Sequence, residues 1–198
     1  MDGLPFSQAC ENNKQPILES IRPLLANCTG VLEIGSGTGQ HAVHFAAAMP
    51  HLIWMPTETE AQLPVLRPRC DAYAGTNLAA PAALDVCQRP WPITVPGAIY
   101  TANTLHIMPW SAVEALFQWL ADSAPADFLL LVYGPFNYGG QYTSDSNARF
   151  DEWLQARDPE SGIRDFEAVD ALARRAQLQL EVDNAMPANN RLLAWRRS

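Results

Sequence analysis

The sequence has little charge, and positive charge is especially scarce. Charged residues make up 17% of its 198 positions, with 13 Lys and Arg against 21 Asp and Glu, so the formal net charge is −8. A protein that binds nucleic acid or an anionic membrane surface normally presents a basic patch. We therefore expect neither nucleic acid nor a membrane as a partner and favour a small molecule or a protein, while the oligomeric state stays open.

Cysteine and long apolar runs are also lacking. The four cysteines form no Cys-x-x-Cys pair, which disfavours both a disulfide framework and a zinc site. The N-terminal residues show no charged region followed by an apolar one, and the longest apolar run, residues 128–133, is far too short to cross a bilayer. His41 and His44 lie three apart with no nearby acid or cysteine to complete a metal site. We expect a cytoplasmic, metal-free protein with reduced cysteines.

Short apolar segments alternate with segments of helical periodicity. The predicted strands are residues 31–34, 52–55, 98–103, 128–133, 178–184 and 191–196, with a short third strand inside residues 79–86. The predicted helices are residues 13–26, 40–49, 60–73, 110–122 and 166–176. The last two strands form a hairpin. This order predicts an α/β fold with a doubly wound, mostly parallel seven-stranded sheet and an antiparallel last strand, in one domain over residues 1–198.

Proline is expected to interrupt several of these elements. Pro23 should kink the first helix or end it early, and Pro56 should end the second strand. Pro64 and Pro68 break up the segment predicted as the third helix.

One long segment, residues 134–165, separates the fifth strand from the next helix by more than a plain connection needs. A helical piece is predicted inside it, around residues 149–156. Its glycines permit hinging, and its aromatic residues suit a wall around a hydrophobic or cationic acceptor. We interpret it as a lid or substrate loop, with Tyr133, Tyr138 and Tyr142 as candidate substrate-binding residues. The plain alternative is an aromatic cluster that covers the end of the sheet.

The strongest motif is a glycine turn between the first strand and the next helix. Gly35, Gly37 and Gly39 alternate with Ser36 and Thr38. Glycine permits positive φ and close approach of a ligand, and the helix N-terminus that follows offers free N–H groups. The dinucleotide-binding fingerprint needs a glycine at position 40, where this chain has glutamine. A tight turn without a ligand is the plain alternative.

Glu33 precedes the first glycine by two positions. This arrangement resembles motif I of the class I S-adenosylmethionine-dependent methyltransferases, an acid and an apolar residue followed by GxGxG. The resemblance implies that S-adenosyl-L-methionine is the cofactor. It also implies that its methionine and ribose portions border Glu33, Gly35, Ser36, Gly37, Thr38 and Gly39.

Two further acids follow predicted strands. Glu58 closes the second strand, where a carboxylate can accept both ribose hydroxyls, and Glu60 is the alternative for that role. Asp85 ends the third strand and is similar to the residue that accepts from the adenine amino group. Each acid alone is better explained as a solvated surface charge, but three acids at successive strand ends of one sheet indicate a binding site.

Residues 100–106 resemble motif IV of the same superfamily. The resemblance implies that Asn103 lies near the sulfonium and the substrate. His106 is a candidate catalytic residue, because imidazole titrates near neutrality and serves as a general base. A structural histidine that holds the loop is the equal alternative.

A narrower resemblance covers most of the chain. Residues 11–18, 35–42, 133–136 and 186–190 look like the methyltransferase-like protein 26 family, which supports fold and cofactor but brings no substrate. The expected function is therefore S-adenosylmethionine-dependent methyl transfer to an unidentified small-molecule acceptor. The alternative is a cofactor-binding regulatory or interaction protein without transferase activity. A nicotinamide-dependent oxidoreductase is disfavoured by Gln40.

Overall fold

A computed structural model describes residues 3–197. Its helices are α1 (Gln8–Ile21), α2 (Gln40–Ala48), α3 (Leu63–Asp71), α4 (Trp110–Ser123), α5 (Asp145–Arg157) and α6 (Phe166–Arg175). Its strands are β1 (Gly30–Ile34), β2 (Ile53–Glu58), β3 (Ala82–Ala83), β4 (Ala98–Ala102), β5 (Leu129–Gly134), β6 (Phe136–Asn137), β7 (Arg164–Asp165), β8 (Leu178–Met186) and β9 (Asn190–Arg197). In this part of the chain, no helix is long and apolar enough to cross a membrane.

Within residues 3–197 the main sheet has seven strands in the order β3-β2-β1-β4-β5-β9-β8. β1 pairs in parallel with β2 and β4, and β2 pairs in parallel with β3. β9 runs antiparallel to both β5 and β8. The predicted α/β fold and its antiparallel last strand are confirmed. β6 and β7 form a separate parallel pair.

The chain divides into two compact units. The first unit ends at Thr101, and its core includes the rings of Phe45, Trp54 and Tyr100, whose centroids lie 5.3–5.7 Å apart. The second unit begins at Ala102 and includes β5, which is buried along its whole length. Continuous burial of this kind is typical of a strand covered on both faces.

Proline and capping residues explain where the predicted boundaries were wrong. The first helix begins at Gln8 rather than residue 13, because the Ser7 hydroxyl accepts from the Cys10 N–H and caps it. It ends at Ile21, two residues before Pro23, which is the early end that the prediction gave as the alternative to a kink. The helix inside the long segment is also longer than predicted, because Ser144 caps it from Asp145 onward.

The second strand continues past Pro56, where an end was predicted, to Glu58, the acid that was expected to close it. The Trp54 N–H donates to the Asn77 carbonyl on the outer side of β2, so the nitrogen of Pro56, two residues on, faces the same side. There β3 contributes only Ala82 and Ala83, which pair with Thr57 and Glu58. The third strand is short and lies inside residues 79–86, as predicted, and Pro56 removes no described ladder bond.

Candidate functional site

The glycine turn joins β1 to α2 in the first unit. Gly37 has φ +54° and Gly39 has φ +74°, and Gly39 is the N-cap of α2. A Cβ on Gly37 would meet no heavy atom within 4 Å, whereas a Cβ on Gly39 would lie 3.0 Å from Cδ1 of Leu66. Gly39 therefore allows α3 to pack against the turn, and Gly37 faces open space that a ligand could enter.

Glu33 is buried at the end of β1, with 1% of its surface exposed. Its Oε2 accepts a hydrogen bond of 2.7 Å from Nε1 of Trp54. Burial raises the pKa of the Glu33 carboxyl to about 7, against the hydrogen bonds from Trp54 and Ser36, which lower it. The group can therefore be protonated or ionised near neutral pH, and its charge responds to what lies beside it.

Glu58, at the end of β2, is turned towards the glycine turn. Its Oε1 accepts from the Gly37 N–H at 2.9 Å, and its Oε2 accepts from the Thr59 N–H at 3.0 Å. Glu60 is exposed and lies beyond the strand. Of the two acids left open by the sequence, Glu58 is the one with a described contact to the turn. Asp85, two residues after β3, is exposed and accepts from the Cys87 N–H at 2.9 Å.

The polar residues of the turn are held by neighbouring elements. The Ser36 N–H donates to the Thr57 carbonyl at 2.9 Å, and the Ser36 hydroxyl accepts from the Thr57 N–H at 3.1 Å. The Thr38 hydroxyl donates to Oε1 of Gln40, and its carbonyl accepts from Nε of Arg69. These bonds link the turn to β2, α2 and α3.

Sequence reasoning missed the role of α1, which supports the turn from outside. Oε1 of Gln40 accepts from the Ser7 N–H at 2.6 Å, and Nε2 of Gln40 donates to Glu11. Nε2 of His41 lies 2.7 Å from Oδ1 of Asn13, and burial lowers the pKa of His41 to about 4. His41 is thus a neutral, hydrogen-bonded residue of the helix packing. The one signal in the sequence was Gln40, which stands at the position where the dinucleotide-binding fingerprint has glycine.

The structure brings Asn103 and His106 together with the end of β5 in the second unit. Asn103 has φ +55°, and its N–H donates to the Tyr133 carbonyl at 2.8 Å. A Cβ on Gly134 would lie 3.5 Å from Nδ1 of His106 and 3.8 Å from Oδ1 of Asn103. These are ordinary van der Waals distances, so the backbone of Gly134 lies next to two polar side chains.

The loop that carries His106 is held by residues 160–164. The His106 carbonyl accepts from the Gly162 N–H at 2.9 Å, and the Ile107 carbonyl accepts from the Ser161 hydroxyl at 2.8 Å. The Arg164 guanidinium adds bonds to two more carbonyls of this loop: those of Leu105 and Met108, at 2.9 and 2.6 Å. These hydrogen bonds to its main-chain carbonyls hold the loop in place.

His106 itself is buried, with 5% of its surface exposed. Its ring meets the edge of Phe150 at a centroid distance of 5.4 Å. Burial, followed by the charge of Arg164, lowers the pKa of His106 to about 4. The imidazole is therefore neutral at pH 7.

The three tyrosines predicted to bind substrate have different partners. Tyr133 is buried in β5. The Tyr138 hydroxyl donates to the Asp183 carboxylate at 2.9 Å, and burial raises the pKa of this phenol. The Tyr142 hydroxyl donates to Oδ2 of Asp151 at 2.7 Å. These bonds tie Tyr138 to β8 and Tyr142 to α5.

Comparison with known proteins gives a family. The family model described as "Protein of unknown function (DUF938)" matches residues 4–197. This chain belongs to the DUF938 family. The match spans both units of the DUF938 protein described above.

The DUF938 protein is similar in fold to solved methyltransferases. An O-methyltransferase family protein from Burkholderia thailandensis matches with a TM-score of 0.82 at 14% identity, over 96% of this chain and 57% of that chain. Human N-acetylserotonin methyltransferase, solved with S-adenosylmethionine, gives 0.81 at 11% identity, over 96% and 53%. Mitomycin 7-O-methyltransferase gives 0.81 at 16%, over 96% and 54%. The DUF938 chain thus spans little more than half of these proteins, and at such identities the likeness establishes the fold.

Proposed function

We propose that this DUF938 protein transfers a methyl group from S-adenosylmethionine to a small-molecule acceptor. The observation that carries the proposal is the glycine turn, where Gly37 faces open space and its N–H meets the carboxylate of Glu58. The named structural neighbours support it, because those proteins are described as methyltransferases. Their names lend no support to the alternative of a cofactor-binding regulatory protein without transferase activity.

The residues of the first unit fit the cofactor. The open face of the turn accommodates the methionine and ribose portions, bordered by Gly35, Ser36, Gly37, Thr38 and Gly39. Glu58 would accept from the ribose hydroxyls, since its carboxylate already lies against the turn. Asp85 would accept from the adenine amino group. Glu33 would border the same portions of the cofactor as a buried carboxyl whose protonation responds to the charge of the bound molecule.

When bound, S-adenosylmethionine supplies a methyl carbon on a cationic sulfur, which is left as a neutral thioether once a lone pair of the acceptor has bonded to that carbon. Asn103 would place its side chain or carbonyl near this centre. The enclosing residues would hold the acceptor in line with the methyl group and exclude water. An acceptor that carries a proton loses it to solvent or to a base.

His106 is the candidate for that base. With a pKa of about 4 in the free protein, it is unprotonated at neutral pH but a weak proton acceptor. A neutral imidazole in this position suits hydrogen bonding to the acceptor, and proton removal would require that the bound substrate raise its pKa. Catalysis by His106 therefore remains a prediction.

The remaining expectations belong to the same proposal. They are one S-adenosylmethionine-binding domain over residues 1–198, a lid or substrate loop at residues 134–165, and walls formed by Tyr133, Tyr138 and Tyr142. Residues 1, 2 and 198 lie outside the described part. A cytoplasmic location and the finer likeness to the methyltransferase-like protein 26 family are proposed with them.

Transfer of a labelled methyl group tests the proposal. The purified protein would be incubated with methyl-labelled S-adenosylmethionine and a panel of small phenols, amines, thiols and carboxylic acids. We expect label in at least one product class, with release of one S-adenosylhomocysteine per methyl group. Binding of the cofactor without labelled product, or S-adenosylhomocysteine release that does not depend on the acceptor, would favour the regulatory alternative.

A further inference from the structure

Asn137, in β6, carries a polar atom that nothing in the described protein satisfies. The residue is 9% exposed, and its Oδ1 is buried without a hydrogen-bond partner among the described residues. Buried side-chain oxygens are nearly always paired, because leaving one unpaired costs the full price of its desolvation. An amide oxygen accepts hydrogen bonds and cannot donate them, so the missing partner is an O–H or N–H group.

The backbone that carries Asn137 is held in place. β6 pairs with β7, so that Phe136 faces Arg164 and Asn137 faces Asp165 in the ladder. Arg164 in turn bonds to the main chain of the loop around His106. Asn137 and His106 are therefore supported by the same short segment, and a site built on both is preorganised.

Asn137 lies three residues after Gly134 in the chain. A Cβ on Gly134 would lie at ordinary van der Waals distance from His106 and Asn103, so the backbone of Gly134 adjoins both polar side chains. Three residues of extended chain span at most about 11 Å, which limits the distance between the Cα atoms of Gly134 and Asn137. A small molecule bound next to Gly134 and His106 would therefore have the main chain of Asn137 within about 11 Å of Gly134.

We infer that Asn137 binds the methyl acceptor, with its Oδ1 accepting a hydrogen bond from an O–H or N–H group of that molecule. The inference rests on the proposed function and adds a chemical class to it. The acceptor is a small alcohol, phenol or amine rather than a molecule without a polar hydrogen. Asn137 would be a specificity-determining residue, since an analogue with that hydrogen removed leaves the amide unpaired again.

The stability of two asparagine variants separates this role from a structural one. Asn137→Leu removes an unpaired buried oxygen, so the ligand-free variant should unfold at the same temperature as the wild type or a higher one. Asn147→Leu is the matched control, because Asn147 is equally buried but bonds to Thr143 and to the Asn189 carbonyl. It should lower the Tm by at least about 2 °C. A comparable loss in Asn137→Leu would show a structural partner, such as a buried water, and overturn the inference.

Binding is tested by NMR with phenol and benzylamine as donor probes and anisole as the matched probe without the hydroxyl hydrogen. The Asn137 side-chain amide signal, assigned from its absence in Asn137→Leu, should shift saturably with phenol or benzylamine. Anisole should bind roughly 3- to 10-fold more weakly than phenol, and Asn137→Leu should weaken phenol binding by a similar factor. Equal affinity for phenol and anisole, or no saturable shift with either donor, contradicts the inference.

The titration is repeated with and without S-adenosylhomocysteine. If the cofactor analogue fails to bind while the phenol contact at Asn137 persists, the proposed methyltransferase function falls and the donor-binding site stands. If the analogue binds but the donor probes do not shift the Asn137 side-chain amide signal, the inference about Asn137 is wrong and the proposed function stands.

Discussion

Glu33 holds a carboxyl group in a part of the first unit that water scarcely reaches. Its pKa rises from an ordinary 4.5 to about 7 because burial disfavours the charged form. Ionising this group therefore costs more free energy in the folded protein than in the unfolded chain. The contribution of the Glu33 carboxyl to the free energy of unfolding is therefore fully present below pH 4.5 and is lost as the pH rises towards 7.

Glu33→Gln removes this titration and keeps an acceptor for the Trp54 N–H. The free energy of unfolding of the wild type, minus that of the variant, should therefore fall by about 3 kcal/mol between pH 4.5 and pH 8. His41 and His106, whose pKa values are lowered, contribute in the opposite sense but are present in both proteins and cancel. Urea denaturation at several pH values measures the difference, and a difference that is flat or grows with pH would show that Glu33 is not perturbed.

Gly37 tests whether the open space at the turn is the cofactor site. Gly37→Ala should weaken S-adenosylmethionine binding at least about 10-fold, because the new Cβ occupies space reserved for the ligand. The positive φ adds a loss of about 1 kcal/mol in stability. Gly97→Ala is the control, since a Cβ there also meets no atom within 4 Å and φ is not positive. Equal affinity in the two variants, measured by calorimetry, would remove Gly37 from the site.

Glu58 and Glu60 form a second matched pair. Glu58→Ala should weaken cofactor binding by about 1–3 kcal/mol, the range for hydrogen bonds to a charged group. Glu60→Ala should leave the affinity unchanged, because Glu60 is exposed and lies beyond the strand. The same titration decides between them, and the opposite order would assign the ribose to Glu60.

At the scale of elements, the predicted lid at residues 134–165 consists of parts with different support. Residues 138–141 form a turn in which Tyr138 and Gln141 exchange main-chain hydrogen bonds, and Gly139 and Gly140 have positive φ. Residues 160–164 instead hold the His106 loop through several short bonds. If the segment closes over an acceptor, we expect the turn at residues 138–141 and the start of α5 to move, and residues 160–164 to stay in place.

Hydrogen exchange tests this division. Amides of residues 138–146 should exchange faster than those of β5 in the free protein and slow when cofactor and acceptor are bound. Amides of residues 104–108 should be slow in the wild type and faster in Arg164→Lys, because lysine lacks the planar fork that bonds two carbonyls at once. Protection of residues 138–146 equal to that of β5 without ligand would make the segment a fixed wall.

Across the whole molecule, the parts that could be predicted from sequence have a local signal. β5 is recognisable because its apolar residues are consecutive, and the glycine turn because its spacing is fixed by backbone geometry. The contact of Ser7 with Gln40 and that of Pro5 with Arg69 join residues 33 and 64 positions apart. Hydrophobic periodicity does not predict contacts between residues so far apart in the chain, so the support of the turn by α1 was missed.

The unpaired oxygen of Asn137 was missed for a different reason. Asparagine is common in turns, where its side chain bonds to nearby backbone, so the sequence gives no reason to single out this one. Only the burial of the residue and the absence of a partner among the described residues distinguish it. Similarly, the partners of Tyr138 and Tyr142 lie in other elements and became visible only in the structure.

The central claim is that this DUF938 protein binds S-adenosylmethionine at the glycine turn. Titration calorimetry of the full chain with S-adenosylmethionine, and separately with the oxidised nicotinamide dinucleotide, tests it most directly. We predict saturable binding of one S-adenosylmethionine per chain and no heat of binding from the dinucleotide, because Gln40 stands where a dinucleotide turn needs glycine. Binding of the dinucleotide, or no binding of S-adenosylmethionine to a folded protein, would contradict the account.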